Sequence, residues 1–199
     1  MRNNLKNAPK VLGLDISTKT IGWSLFDIQT QKLLELTHVS PVIKPKPEDK
    51  IEELLGKVDA FEEKLRDYKD IGVTKVIIEE PLLNSNNVWT VGVLLRYNSM
   101  ITKSIYDILG IVPSYISTYN SRKFAWPELV QENNKGKKVL FGGMPKDIDK
   151  KAVVWQKVSE SEPQIVWLYT RNNTLKKECF DQADAYTCVQ GYMKQQGLW

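Results

Sequence analysis

The sequence contains little histidine and little cysteine, which limits the chemistry available to it. Its 199 residues include one histidine, His38, and two cysteines, Cys179 and Cys188. A histidine-based catalytic triad and a zinc site built on imidazoles are therefore effectively excluded. The cysteines are nine residues apart without CxxC spacing, so we expect two reduced thiols in or near the core. Any catalysis must use carboxylates, hydroxyls and lysines.

Long hydrophobic runs are also missing. No apolar run approaches the ~18 residues that a membrane span needs, and residues 1–6 lack the apolar stretch of a secretory signal. We therefore expect no membrane partner and a cytoplasmic location. The composition, 42% apolar and 26% charged, is typical of a soluble globular protein. The length predicts a single domain over residues 1–199.

Charge is distributed unevenly along the chain. Residues 120–177 hold 12 Lys or Arg against 6 Asp or Glu, whereas the remaining residues hold 16 basic and 18 acidic side chains. A basic region beside a region rich in carboxylates is typical of a protein that binds a phosphate backbone and has an acidic metal site. An ordinary solvated surface explains the same charges equally well.

Hydrophobic patterning predicts an α/β fold. Apolar runs predict strands over 11–17, 21–27, 31–39, 74–79 and 110–118, the first three as an antiparallel meander. Three- and four-residue spacing predicts helices over 50–68, 88–109, 148–158 and 178–195. The order strand, helix, strand predicts a parallel crossover, and hence a mixed sheet with helices on both faces. We interpret 124–149 as a long loop or flap insertion and 164–169 as a strand-like insert.

The helix over 88–109 has two apolar faces. One face holds Val91, Leu94, Ile101, Ile105 and Ile108, and the other holds Trp89, Val93, Tyr97 and Met100. A helix that is apolar on two sides must be covered on two sides. One face can lie on the sheet, and we predict that a second copy of the chain covers the other. Burial within the same chain is the alternative.

Four acidic residues occupy positions where solvated charge is not expected. Asp15 interrupts an apolar strand, Glu79 ends another and is followed by Glu80, and Asp181 and Asp184 share one face of the last helix. Each alone is ordinary as a turn, cap or helix-dipole residue. Together they would repel one another unless a cation lay among them, and oxygen ligands favour Mg²⁺ or Mn²⁺.

Three segments around these acids resemble the motifs of RuvC-like nucleases. The segment VLGLDISTKTIGWSLF, residues 11–26, resembles the first motif, VIIEEP, residues 76–81, the second, and DQADAY, residues 181–186, the third. The resemblance implies an RNase H-like five-stranded fold and a homodimeric Holliday-junction resolvase, acting in DNA recombination and repair. It also implies a bacterial cell, or a cell infected by a phage or another virus, as the source.

The resemblance further implies a role for each residue. Asp15, Glu79, Asp181 and Asp184 would be catalytic and would hold two Mg²⁺ ions per active site, with Mn²⁺ as a substitute. Glu80 competes with Glu79, which we prefer because it directly follows the apolar run. Four basic residues would contact branched DNA, a four-way junction: Arg122, Lys123, Lys150 and Lys151.

The sequence departs from the family pattern and leaves alternatives open. Ile16 and Ser17 replace the family's frequent Pro-Gly, and Leu82 and Leu83 stand where an aromatic residue is common. A flap, fork or other branched-DNA endonuclease would use the same metal site, and a non-catalytic junction-binding scaffold would keep the fold. An actin-like sugar or acetate kinase is disfavoured, because Ser17 replaces a phosphate-binding glycine and 199 residues are too few for two lobes.

Overall fold

The computed structural model describes residues 8–81, 87–145 and 147–199. The chain begins with three strands, β1 (Lys10–Ile16), β2 (Ile21–Asp27) and β3 (Leu33–Val39), followed by helix α1 (Lys50–Arg66) and strand β4 (Val73–Glu79). Next come α2 (Val88–Leu109), β5 (Ser114–Ile116), α3 (Thr118–Ala125) and a 3-10 turn (Pro127–Leu129). The last elements are β6 (Val130–Glu132), β7 (Lys138–Leu140), α4 (Lys150–Ser161) and α5 (Glu178–Gln195).

The main sheet has five strands in the order β3-β2-β1-β4-β5. β1, β2 and β3 form an antiparallel meander, and β4 and β5 run parallel to β1. Both parallel strands are reached through a helix, as crossover connections require. The predicted meander, crossover and mixed sheet are confirmed.

Each face of the sheet is covered by helices. Successive residues of a strand point to opposite faces, so Leu12 and Leu14 of β1 pack with α1 and α2, whereas Val11 packs with α3, α4 and α5. A strand buried on both faces reads as a nearly continuous apolar run, which explains the composition of β1. Asp15 is the exception to that run, and it lies at the end of the strand.

Helix α5 packs unusually close to β1 and β2, because glycines face it. A Cβ added at Gly13 would lie 2.6 Å from the Ala185 carbonyl oxygen, and one added at Gly22 would lie 1.9 Å from the Asp181 carbonyl oxygen. Real Cβ atoms do not approach backbone so closely, so any larger residue would push the helix away. The Ser24 hydroxyl also donates to the Ala185 carbonyl oxygen at 2.9 Å.

Helix α2 has the predicted bounds, but its faces divide differently. Its buried side combines residues from both predicted faces, Val93, Tyr97, Ile101 and Ile105, and it packs within the chain as part of the core shared with α1. Trp89, which was assigned to the second apolar face, is exposed. Tyr106 is exposed as well.

Three other sequence predictions need correction. The segment after β5 is the helix α3, because Ser117 accepts a hydrogen bond from the Asn120 N–H and caps it, so the strand predicted over 110–118 shrinks to three residues. The described part of 124–149 holds the end of α3, the 3-10 turn and the β6–β7 hairpin instead of a continuous loop. Residues 164–169 form no strand, and one isolated bridge joins Tyr169 to Leu175.

The structure also describes the surroundings of the two cysteines and the length and hydrophobicity of the helices. Cys179 and Cys188 are both buried and unbridged, as predicted. Within the described ranges, no helix is long and apolar enough to cross a membrane.

Candidate active site

The two strand-end carboxylates lie on neighbouring strands. β1 and β4 are parallel and paired up to Leu14 and Ile78, so Asp15 and Glu79 follow at the same end of the sheet. The next strand, β5, places Ile116 beside Glu79. The carboxyl ends of parallel strands thus converge on one edge, which is where open α/β sheets hold their sites.

The first turns of α5 bring the other two carboxylates to the same edge. The Asp181 backbone lies directly against Gly22, and Gly22 is paired with Asp15 across β1 and β2. Asp184 is one helical turn further on and is almost completely buried, with 3% of its surface exposed. The glycine contact therefore fixes both α5 carboxylates relative to Asp15.

The four predicted carboxylates line a single cavity of about 310 Å³, which we call the acidic cavity. Its charged lining residues come from β1, β4, α3, α4 and α5 and from the residue after β4: Asp15, Glu79, Glu80, Arg122, Lys151, Asp181 and Asp184. Five acids against two bases give the cavity a formal charge of −3. Residues up to 169 positions apart in the sequence thus form one strongly negative site.

Glu79 and Glu80 have different surroundings. The Thr118 hydroxyl donates a hydrogen bond to Glu79 Oε1 at 2.5 Å. Glu79 Oε2 is buried and has no hydrogen-bond partner among the described residues. Glu80 is exposed to solvent. Of the two, Glu79 is therefore the carboxylate with a fixed orientation. Its Oε1 is hydrogen-bonded, and its Oε2 is free to bind a further group.

Two basic side chains contact the α5 carboxylates. Arg122 Nη2 donates to Asp184 Oδ1 at 2.9 Å, and both side chains are buried. Lys151 Nζ lies 3.4 Å from both Asp181 Oδ1 and Asp184 Oδ2. Asp184 is thus engaged on both oxygens, by a buried guanidinium and a more exposed ammonium.

Burial and mutual repulsion disfavour full ionisation of these acids. Burial, followed by the charges of Glu79, Asp184 and Asp181, raises the pKa of Asp15 well above its ordinary value. Burial and the charge of Asp184 raise the pKa of Glu79 to about 7, although Thr118, Arg122 and Lys151 act in the opposite direction. Burial also raises the pKa of Asp181, against the attraction of Lys151. The site holds more negative charge than its two bases balance.

The four basic residues predicted to contact DNA divide into two pairs. Arg122 and Lys151 line the acidic cavity, whereas Lys123 and Lys150 do not. The Lys123 ammonium lies over the Phe124 and Tyr119 rings, and the Lys150 ammonium lies over the Phe141 ring. In both cases the neighbouring helical residue, about 100° away around the axis, is the one that reaches the cavity.

Sequence reasoning missed Thr118 as a site residue. The segment Ser117-Thr118 follows an apolar run and is followed by a basic helical segment, which is a helix-start signal. Recognising that signal would have placed α3 correctly. The helical phase would then have turned Arg122 inward with Thr118, since the two are four residues apart.

The oxygen atoms of the acidic cavity suit a divalent cation. Among the described residues, no three acidic, histidine or cysteine side chains are arranged to hold a metal ion as they stand. The cavity nevertheless offers only oxygen ligands, the buried and unpartnered Glu79 Oε2, and carboxylates that repel one another. Hard divalent cations such as Mg²⁺ prefer such ligands and would relieve the repulsion. The residues present fit Mg²⁺.

Comparison with solved structures identifies the fold class. Thermus thermophilus RuvC matches with a TM-score of 0.55 at 15% identity, over 94% of this chain and 96% of that chain. Thermus thermophilus RuvC in complex with Holliday junction substrate matches at 0.56 and 14%, over 95% and 96%. Yeast mitochondrial Holliday junction resolvase Ydc2 matches at 0.61 and 13%, over 98% and 81%. No family model matches the sequence, and no curated protein matches it.

These matches span nearly the whole chain. The protein is therefore an α/β protein with a mixed five-stranded sheet of the RNase H-like type. Within that class, the fold is RuvC-like, as the sequence motifs predicted. At 13–15% identity the comparison identifies the fold alone, since one fold can carry unrelated functions.

Proposed function

We propose that this protein is a metal-dependent, structure-specific DNA endonuclease that resolves four-way junctions by paired symmetric nicks. The observation that carries the proposal is the convergence of Asp15, Glu79, Asp181 and Asp184 on one cavity at the carboxyl ends of β1 and β4. The RuvC-like fold supports the junction as substrate, since one solved neighbour is a complex with a Holliday junction.

Asp15, Glu79, Asp181 and Asp184 would hold two Mg²⁺ ions, with Mn²⁺ able to substitute. When bound, the ions would supply an activated water and charge stabilisation at the leaving oxygen. Asp15 would be the central ligand of the set, because it faces the charges of the other three carboxylates. Glu79 is the preferred ligand over Glu80, because its free oxygen is buried beside the other acids.

The basic side chains of the cavity would act on the phosphate. Lys151 is the more exposed of the two and would contact a phosphate oxygen while remaining near Asp181 and Asp184. Arg122 is buried against Asp184 and would hold that carboxylate in position. Thr118 would orient Glu79 through its hydrogen bond to Oε1. Preorganised charges of this kind stabilise a transition state without reorganising during the reaction.

Paired nicks require two active sites, so we propose a homodimer. Helix α2 supports this, because it exposes apolar side chains on the side away from the core: Val88, Trp89, Leu95 and Tyr106. Trp89 is 67% exposed, which is unusual for tryptophan. Sedimentation of the wild type should give a dimer, and W89S should shift the equilibrium towards monomer. A monomeric wild type at micromolar concentration would contradict this part of the proposal.

The test of function is cleavage of a labelled, immobile four-way DNA junction with Mg²⁺, beside D15N and a linear duplex. We expect paired symmetric nicks in the junction, and none in the duplex or with the variant. Cleavage of flaps or forks at an equal rate would indicate a broader branched-DNA endonuclease. Tight junction binding without cleavage in Mg²⁺ or Mn²⁺ would indicate a non-catalytic scaffold.

A further inference from the structure

A second cavity lies beside the acidic cavity and shares part of its wall. It has a volume of about 320 Å³ and is lined by three lysines, so we call it the lysine cavity. Ser17, Lys151 and Asp181 line both cavities. A polymeric ligand with one unit bound in the first cavity could therefore place its next unit in the second cavity.

The charge of the lysine cavity is opposite to that of its neighbour. Its lysines are Lys19, Lys151 and Lys177, and its acids are Asp149 and Asp181, for a formal charge of +1. Both acids already have partners. Asp149 Oδ1 accepts the N–H groups of Lys151 and Ala152 at the start of α4, and Asp181 contacts Lys151.

Lys19 and Lys177 are the uncompensated charges of this cavity. Both are exposed, and neither takes part in an ion pair between described residues. Lys19 is in the turn that follows β1, four residues after Asp15, and Lys177 directly precedes α5. No described side chain caps the N-terminus of α5, so the positive end of its helix dipole adds to the same potential.

The lysine cavity also has an apolar wall. Phe180, one residue before Asp181, is half-buried and lines it. Two ammonium groups beside an aromatic ring match a nucleotide of a DNA strand, because the lysines contact the phosphate and an aromatic ring can stack with a base. A free dicarboxylate or a small anion would leave the ring unused.

We propose that the lysine cavity binds the DNA phosphodiester that neighbours the one to be cut on the same strand, with Lys19 and Lys177 as its phosphate ligands. This inference rests on the proposed function and adds a subsite to it. The shared wall sets the geometry: the reacting phosphate lies among the carboxylates, and the adjoining phosphate lies against the lysines. Lys151 stands between the two.

The test compares two double variants that change charge equally. K19Q/K177Q alters the lysine cavity. K32Q/K69Q is the matched control, because Lys32 and Lys69 are exposed and lie at the opposite end of the sheet, before β3 and before β4. Thermal melting establishes that both variants fold. Junction affinity is then measured by fluorescence anisotropy from 50 to 200 mM salt.

We expect K19Q/K177Q to weaken junction binding roughly tenfold at 100 mM salt and to raise KM. The slope of log affinity against log salt should fall by about 1, the value for one phosphate contact. The control should change affinity less than about twofold, because its lysines do not face the substrate. Equal losses in the two double variants, or an unchanged slope in K19Q/K177Q, would overturn the subsite and leave the proposed function intact.

A second readout separates the subsite from the function. A five-nucleotide DNA single strand, titrated into ¹⁵N-labelled wild type, should shift the amide signals of Lys19, Thr20 and Phe180 but not that of Lys32. Such shifts in a protein that neither binds nor cuts a junction would sustain the subsite and refute the proposed function. Absence of these shifts at millimolar oligonucleotide would refute the subsite itself.

Discussion

The acidic and lysine cavities share a wall but are built differently. The carboxylates of the acidic cavity are held at strand ends and by a close-packed helix, and Asp184 and one oxygen of Glu79 are buried. The lysine cavity exposes Lys19 and Lys177 on a turn and at a helix start. Groups that must meet reacting atoms are held by packing, whereas groups that only balance phosphate charge can stand exposed at the surface. Substitutions in the two cavities should therefore have different signatures.

The largest effect is expected from D15N. Removing one member of a catalytic unit costs about four to six orders of magnitude in rate, so junction cleavage should fall by about that factor. The same change removes a carboxyl group whose ionised form is destabilised by burial and by three other carboxylates, an effect that is largest at a pH above its raised pKa. The melting temperature in EDTA should therefore rise. A variant that cleaves at more than a tenth of the wild-type rate, or that melts lower in EDTA, would contradict this account of the acidic cavity.

The next largest effect concerns the buried ion pair. R122M leaves Asp184 buried without its guanidinium partner, which should lower the free energy of unfolding by about 4 kcal/mol. Urea unfolding monitored by tryptophan fluorescence measures the loss. The double variant R122M/D184N should recover most of it, because no buried charge then lacks a partner. If the double variant is as unstable as R122M, the ion pair is not the cause.

A pH effect on stability should distinguish the acidic cavity from the rest of the protein. The pKa of Glu79 is raised from 4.5 to about 7, so the folded state favours its protonated form. Stability is therefore lost as the pH rises from about 4.5 through 7. Between pH 5 and pH 8 in EDTA, the wild type should lose roughly 2 to 3 kcal/mol relative to E79Q. Equal pH profiles for the two proteins would show that Glu79 ionises freely.

The two lysines at the start of α4 provide an internal comparison. K151Q should slow cleavage about a hundredfold, the range for removing one preorganised group at a reacting centre. K150Q should change the rate less than about threefold, because its ammonium lies over Phe141 and outside the acidic cavity. Single-turnover cleavage measures both. If K151Q and K150Q lose cleavage rate equally, only the overall charge of the region matters.

Much of the fold could be predicted because local and long-range signals agree. Buried strands such as β1 read as apolar runs, and α1 keeps a regular apolar spacing. The four carboxylates were predictable for the same reason, since Asp15 and Glu79 end apolar runs. The faces of α2 were not, because every apolar residue of that helix looks buried in the sequence and only packing against α1 selects Val93, Tyr97, Ile101 and Ile105.

The basic residues show why side-chain roles are harder to predict than elements. The sequence places Arg122 beside Lys123 and Lys150 beside Lys151, and composition does not distinguish the members of a pair. Which member of each pair lines the acidic cavity depends on the helical phase. Predicting that phase requires knowing the residue at which α3 and α4 each begin. The prediction of a strand over 110–118 removed the start of α3, and with it the inward position of Arg122 and the hydrogen bond from Thr118 to Glu79.

The glycines beneath α5 have a consequence for sequence divergence. At Gly22 the backbone of α5 lies directly against the strand backbone, and at Gly13 it does so beside the side chains of Val189 and Ser24. The spacing between Asp15 and Asp181 therefore depends on the contact at Gly22 more than on the size of core side chains elsewhere. A site positioned in this way can persist while most of the sequence around it is replaced, as long as positions 13 and 22 carry no side chain.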